Sequence, residues 1–507
     1  MEIQKRIQFL SIFLFSISCT AIPESGTVRE VIDIKSELNL FLSTQDSNVE
    51  MQVLERLKSA KVKHESIKST LRSRSKKFTG PIGLQRNLMY KQNGKSYPYA
   101  LFLPKSLKQN EKVPLIVVLH GLGSGGANII SKWVERSNKE FAVLCPTYPM
   151  GAWWAQPAEE MVLGLIDQTR EQYNIDSGRI FLTGLSNGAI GAYMIGMFYP
   201  DRFAGLIPIA GSITPRYMHF LVNLRNTPIY MIQGAHDPVF PIQLSRRVHK
   251  ILSDMKYPVL YREHGERGTA HGGHFLPESE VPAMMEWMRN QKRQSNPNVV
   301  RMTREGNHLG PIHWARLVKG RNLALLELPG PENPNPVKRD GKIATLFATR
   351  KGNNYFEVMG QHIIEYDLYF NTETVDFDKP VTITTQRIRV HGNKLIPGEK
   401  KTSYKKKLEK DLAVLLYGYK NLHDPNRLYD ARVSILLEST LVHSSPRDQL
   451  AMALTPSIKE LPSKNVSVSV SVSVHETGKE NKDIFGRKNS CTASNDITIC
   501  SRNLSAL

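Results

Sequence analysis

Residues 184–188 read Gly-Leu-Ser-Asn-Gly directly after the run 179–183 (RIFLT), and this junction constrains the fold more than any other stretch. A short run rich in branched and aromatic residues reads as a strand. Glycines two positions before and after a serine suit a turn so sharp that Cβ atoms would collide in it, after which the chain leaves as a helix. A strand that turns over a serine into a helix belongs to a parallel sheet covered by helices. Neighbouring segments keep that rhythm. Residues 114–119 (PLIVVL) form the continuous apolar run of a strand buried on both faces, residues 228–233 (PIYMIQ) and 259–263 (VLYRE) follow as strands, and 280–289 reads as a helix. The predicted core, over residues 84–290, is an α/β doubly wound, mostly parallel sheet, entered through a hairpin at 84–103 that turns at Asn93-Gly94.

Side chains able to do chemistry fall just past these strands, where such sheets place ligands. Ser186 is the candidate nucleophile. The strand at 114–119 runs into His120-Gly121-Leu122-Gly123, whose glycines let the backbone approach a substrate. The N–H groups of Leu122 and Asn187 are the predicted oxyanion donors. Asp237, in Gly-Ala-His-Asp-Pro, reads either as the acid that orients a base or as a turn former. His274 is the candidate base. It is preferred to His271, His264 and His236 because Gly272-Gly273 precede it and a helix follows. The order Ser, Asp, His along the chain differs from the two other well-known orders of this constellation. Trp153 and Trp154 read as readily as core packing as pocket lining and are left out of the site. Acyl transfer by such residues calls for no metal and no cofactor, and His271 with His274 lacks a cysteine or carboxylate at a zinc spacing.

Five segments carry a resemblance: 97–104 (YPYALFLP), 114–123 (PLIVVLHGLG), 173–188 (YNIDSGRIFLTGLSNG), 234–241 (GAHDPVFP) and 271–274 (HGGH). Together they resemble the bacterial α/β-hydrolase group that includes prolyl-oligopeptidase-like predicted peptidases, polyhydroxybutyrate-depolymerase-like esterases and the phospholipase/carboxylesterase family. The resemblance implies an α/β-hydrolase fold, a triad of Ser186, Asp237 and His274, oxyanion donors at Leu122 and Asn187, and an acyl-enzyme. It departs from the commonest pattern at Ala189, where many members carry a third glycine. Substrate is less constrained. A small-molecule ester ranks ahead of a peptide; an exopeptidase would need a charged anchor, for which Arg216, Arg246 and Arg247 are candidates. The reading from another class is a catalytically silent envelope protein that binds through the same fold.

Length allows two domains with tails in 507 residues. Residues 1–21, with Lys5 and Arg6 ahead of a short apolar stretch, read as a signal peptide, so the chain is expected to be exported. Cys19 is a candidate lipid attachment point and would tether the chain to an envelope membrane. Residues 22–83 read as a helical extension with little core, 291–298 as a polar linker, and 299–438 as a β-rich accessory domain ending in a helix near 405–418 and a strand at 431–437. Residues 375–381 (VDFDKPV) resemble part of the β-domain appended to some of the predicted peptidases. Residues 439–507 read as a low-complexity tail, with valine and serine alternating at 466–474. Cys145 is expected to be a buried hydrophobe, while Cys491 and Cys500 are spaced to close a short loop in an oxidising compartment. The net charge of +20 gathers in 56–77 and 400–410, but no aromatic residues interleave the lysines, so a solvated basic face is expected and nucleic acid is not.

Overall fold

The computed structural model describes residues 32–74, 80–109, 111–268, 272–306, 309–324, 342–391 and 394–437, with the backbone of 492–494 and 497–499. The leader and Cys19, His271, the valine–serine alternation, Cys491 and Cys500 lie outside the described residues. Among those described, no helix is long and apolar enough to cross a membrane. The chain divides into two compact units, residues 1–70 and 71–507. The first holds α1 (Ile34–Ser43), α2 (Ser47–Ser59) and most of α3 (His64–Arg72). Asp33 and Asp46 cap α1 and α2 by accepting the N–H of Lys35 at 3.0 Å and of Asn48 at 2.8 Å. Leu38, Phe41, Val53 and Leu57 are buried there.

The second unit begins with β1 (Gly83–Gln92) and β2 (Lys95–Leu103), a hairpin whose two turn residues, Asn93 and Gly94, both have positive φ. Then follow β3 (Val113–Leu119), α4 (Gly126–Arg136), β4 (Ala142–Pro146), α5 (Gln156–Gln172), β5 (Ile175–Leu185), α6 (Asn187–Phe198), β6 (Gly205–Ile209), β7 (Ile229–Gly234), α7 (Ile242–Asp254), β8 (Val259–His264) and α8 (Val281–Asn290). The eight strands form one sheet in the order β1-β2-β4-β3-β5-β6-β7-β8, with β4 onward parallel. Leu115, Val117 and Leu119 enter one core with residues of α5 and α6; Ile116 and Val118 enter the other with residues of α4 and α8. Burial on both faces explains the unbroken apolar runs. From β3 the chain proceeds to β4 on one side and, from β5, to β6 on the other, so the crevice lies past the carboxyl ends of β3 and β5. Cys145 is fully buried in β4.

Beyond α8 come β9 (Val299–Arg304), β10 (Ala315–Gly320), β11 (Ala344–Gly352), β12 (Tyr355–Gln361), β13 (Ile363–Phe370), β14 (Pro380–His391), β15 (Lys394–Lys407), α9 (Leu412–Leu422) and β16 (Ala431–Leu436). They make a five-stranded sheet, β15-β14-β12-β11-β9, and a three-stranded sheet, β10-β13-β16, around a core that includes Leu346, Phe356 and Ile383. The helix expected from 405 starts later. Lys405, Lys406 and Lys407 pair with Thr382, Val381 and Pro380, and Asp411 caps the helix by accepting the Ala413 N–H at 2.8 Å.

Residues 291–298, read as a linker, are bolted into a charged seam. The Arg293 N–H donates to the Gly178 carbonyl at 2.9 Å, and its guanidinium reaches Asp424 at 2.5 Å and the Asp201 carbonyl at 3.1 Å. Asp201 pairs with Arg427 and accepts the His313 N–H at 2.7 Å. The His313 ring is buried here. Burial first, then the Arg427 and Arg293 charges against the opposing pull of Asp201, lower its pKa from 6.5 to about 3. A histidine whose folded pKa is depressed stabilises the fold fully above its unfolded value and loses that contribution as pH falls below it. Between pH 6.5 and about 3 the unfolded chain binds the extra proton. This group should therefore cost about 1.4 kcal/mol of stability per pH unit in that window. Urea midpoints at descending pH should show the slope, and His313→Asn, which has no titrating ring and tolerates the left-handed backbone at this position, should lack it. Equal slopes in both proteins would remove His313 from the account.

Candidate active site

Ser186 sits between β5 and α6 with φ 61° and ψ −121°, a backbone region that costs a residue with a Cβ on the order of 1–3 kcal/mol. Its surroundings over-determine that conformation. A Cβ on Gly184 would lie 2.4 Å from the backbone of Gly188, and one on Gly188 would lie 2.1 Å from the Leu119 carbonyl oxygen. The Ser186 N–H donates to the Ile209 carbonyl at 3.1 Å, tying the turn to β6. Asn187 opens α6, so its N–H has no acceptor within the helix. Its side chain donates to the Met150 carbonyl at 3.1 Å. Ala189 is buried where the turn becomes helix.

Asp237 and His274 meet. The His274 Nδ1–H donates to Asp237 Oδ2 at 2.9 Å, and the Asp237 side chain is fully buried. The carboxylate also accepts Gln233 Nε2 at 2.8 Å, the Val239 N–H at 2.8 Å and the Phe240 N–H at 3.0 Å. Burial pushes its pKa up, but the bond from His274 and the two N–H groups outweigh it and hold the carboxyl below its ordinary value. An ionised acceptor at Nδ1 leaves His274 Nε2 as the basic nitrogen. The phenyl ring of Phe240 stacks on the imidazole at 5.9 Å between centroids. The two loops interlock, since a Cβ on Gly234 would lie 2.2 Å from the Gly273 carbonyl oxygen. Among the other histidines, His264 packs its ring on Phe275 and His236 lies against Arg267 at 3.2 Å.

Ser186, His274 and Leu122 line one cavity of about 630 Å3. Its walls are mainly apolar, including Ile129, Trp133, Leu185, Ile209 and Phe275. Lys132 and Arg136, one turn apart on α4, also line it and share Glu278, at 2.9 and 2.6 Å. Asn187 is next to the cavity in sequence but does not line it. The loop bearing Leu122 is fixed by a residue whose role the sequence did not disclose. His120 accepts the Tyr148 N–H on Nε2 at 3.1 Å and donates from Nδ1 to the Gly121 carbonyl at 2.7 Å, so it is neutral, and burial lowers its pKa. The Trp153 indole N–H donates to the His120 carbonyl at 2.8 Å, and Trp153 is fully buried. Gln233 was also missed. Its amide oxygen accepts Ser245 Oγ at 3.2 Å, which aims the amide nitrogen at Asp237. The one available signal was a polar residue closing an otherwise apolar strand.

Residues 155–289 match the phospholipase/carboxylesterase family. A poly(3-hydroxyalkanoate) depolymerase C of Paucimonas lemoignei is 30% identical over 22% of this chain and 30% of its own length. A bifunctional acetylxylan esterase/xylanase of Neocallimastix patriciarum is 27% identical over 30% of this chain and 23% of its own. The chain thus spans less than a third of the length of either relative. A solved thermostable esterase is 27% identical with a TM-score of 0.36, over 41% of this chain and 63% of that one. Sheet order, elbow and family match agree, and the chain carries an α/β-hydrolase domain of the esterase group that includes the phospholipase/carboxylesterase family.

Proposed function

We propose that the chain is a serine esterase that works through an acyl-enzyme. The observation that carries this reading is that His274, paired with the buried carboxylate of Asp237, lines the same cavity as a serine held in a strained turn. In the first step His274 Nε2 takes the Ser186 hydroxyl proton as Oγ attacks the ester carbonyl carbon. The carbonyl oxygen becomes an oxyanion, for which the N–H groups of Leu122 and Asn187 are the proposed donors. Collapse expels the alcohol, which leaves with the proton from His274. Water then attacks the acyl-enzyme by the same route in reverse, giving the acid and free Ser186. Asp237 stays ionised throughout and stabilises the imidazolium.

The mainly apolar cavity is the proposed acyl site. Each methylene it buries should contribute about 0.8 kcal/mol, which is roughly a fourfold gain in kcat/KM. Across p-nitrophenyl esters from acetate upward, kcat/KM should climb by about that factor per carbon and then fall once the chain outgrows the cavity. A flat profile would mean that the acyl chain lies elsewhere. Support for a peptidase is thinner. Arg216 is held by Glu305 at 3.2 Å and Arg246 by Glu263 at 2.6 Å, and neither they nor Arg247 line the cavity.

A further inference from the structure

We infer that the β-rich region carries a binding pocket, distinct from the hydrolase cavity, for a ligand bearing two or more phosphate groups, formed by Arg321, Lys342, His362, Arg387 and Arg389. These residues line a cavity of about 620 Å3 and come from four separate places in the chain. Arg321 follows β10, Lys342 precedes β11, His362 is the corner between β12 and β13, and Arg387 and Arg389 lie on β14. The remaining lining residues, Gly360, Gln361, Ile363 and Ile388, include no carboxylate.

The backbone around this cavity is fixed. His362 takes φ 55°, its carbonyl accepts the Arg321 N–H at 2.8 Å, and its ring lies 2.8 Å from Gln361 Nε2. The Lys342 N–H donates to the Asn322 carbonyl at 2.7 Å, and Arg387 Nη2 donates to the Leu437 carbonyl at 3.0 Å. Gly360 has no room for a side chain, because a Cβ would sit 2.3 Å from the Thr345 carbonyl oxygen.

Several other cations of the same sheet are matched with carboxylates. Lys400 and Lys351 share Glu357, Lys401 meets Glu399 at 3.1 Å, and Lys407 meets Asp378 at 3.5 Å. Among the described residues, the ammonium of Lys342 and the guanidinium of Arg389 meet no carboxylate. Two cations with no carboxylate against them, in a cavity whose lining holds none, favour an incoming anion. The positive field is also felt by His362, whose pKa is lowered first by burial and then by the Lys342 and Arg321 charges. Guanidinium forks suit tetrahedral oxyanions, which they bind through paired N–H groups. Cations arriving from several sides of so large a cavity suit a ligand with more than one such group.

The same chemistry reaches the pocket as a free diphosphate or on a phospholipid headgroup. Calorimetric titration of the full chain with pyrophosphate near physiological salt, beside flotation with phosphatidylcholine vesicles doped with cardiolipin, separates the two sources. Saturable one-to-one binding of pyrophosphate is expected. The double change Lys342→Gln with Arg389→Gln should weaken it by on the order of tenfold or more. Removing two charges from the exposed edge, Lys405→Gln with Lys406→Gln, should change it by less than about twofold. The charge-keeping pair Lys342→Arg with Arg389→Lys should restore binding to within about threefold, which controls for damage to the fold. Ser186→Ala should bind like the parent, so this result stands apart from the esterase reading. Vesicle binding without pyrophosphate binding, lost in the same double variant, assigns the source to a headgroup. Equal losses in the pocket and edge variants, or no saturable binding to either probe, would overturn the proposal.

Discussion

Ser186→Ala should lower kcat for every ester the protein hydrolyses by a factor on the order of 10^4 to 10^6. The change removes one oxygen, the only atom at that position able to form the acyl bond. The elbow itself should survive. Gly184 and Gly188 still clear the turn, and the Ser186 N–H bond to Ile209 belongs to the backbone. Alanine meets the same positive-φ strain that serine already bears. Thermal unfolding of the variant should therefore match the parent while p-nitrophenyl acetate turnover disappears. A variant that keeps more than about a tenth of parental kcat would show that another group attacks the ester.

Asp237→Asn should lower kcat by about 10^4 with little change in KM, an effect of the size seen when this substitution is made in an unrelated serine protease. Asp237 accepts four hydrogen bonds, and all four donors are N–H groups. An asparagine has one acceptor oxygen and a donor NH2. If the NH2 faces His274, the imidazole must carry its proton on Nε2, where it cannot take the Ser186 proton. If it faces Val239 and Phe240 instead, two backbone N–H groups confront a donor, against the single Gln233 N–H that does so in the first orientation, which disfavours the second. His274→Ala should be at least as severe, whereas His271→Ala should keep kcat within about tenfold of the parent. Steady-state kinetics on the three variants decides the assignment, and a milder effect at His274 than at His271 would reverse it.

Much of the hydrolase sheet was legible because its strands are buried on both faces. Runs such as 114–119 have no other economical reading, and Asn93-Gly94 specifies its own turn. The elbow was legible through steric necessity at Gly184 and Gly188. Less legible were residues that act through their neighbours. His120 looks like part of a glycine loop, and only folding shows that Tyr148 and Trp153, far along the chain, lock it. Gln233 becomes an orienting residue only because Ser245 turns its amide. The β-rich region was harder still. β9 and β11 mix apolar with basic and polar residues, and β15 is an exposed lysine-rich edge whose strand character comes from pairing with β14. The seam around Arg293 and Asp201 was hidden for a similar reason. Nothing in a polar segment announces which of its charges will be buried.

The most direct test of the serine-esterase account is labelling with a fluorophosphonate probe, followed by mass mapping of the modified peptide. Only a serine activated by a base and facing an oxyanion site reacts rapidly. The account predicts stoichiometric modification of Ser186, none in Ser186→Ala and much slower modification in Asp237→Asn. A folded protein that leaves Ser186 unlabelled, or that is labelled at another residue, would contradict it.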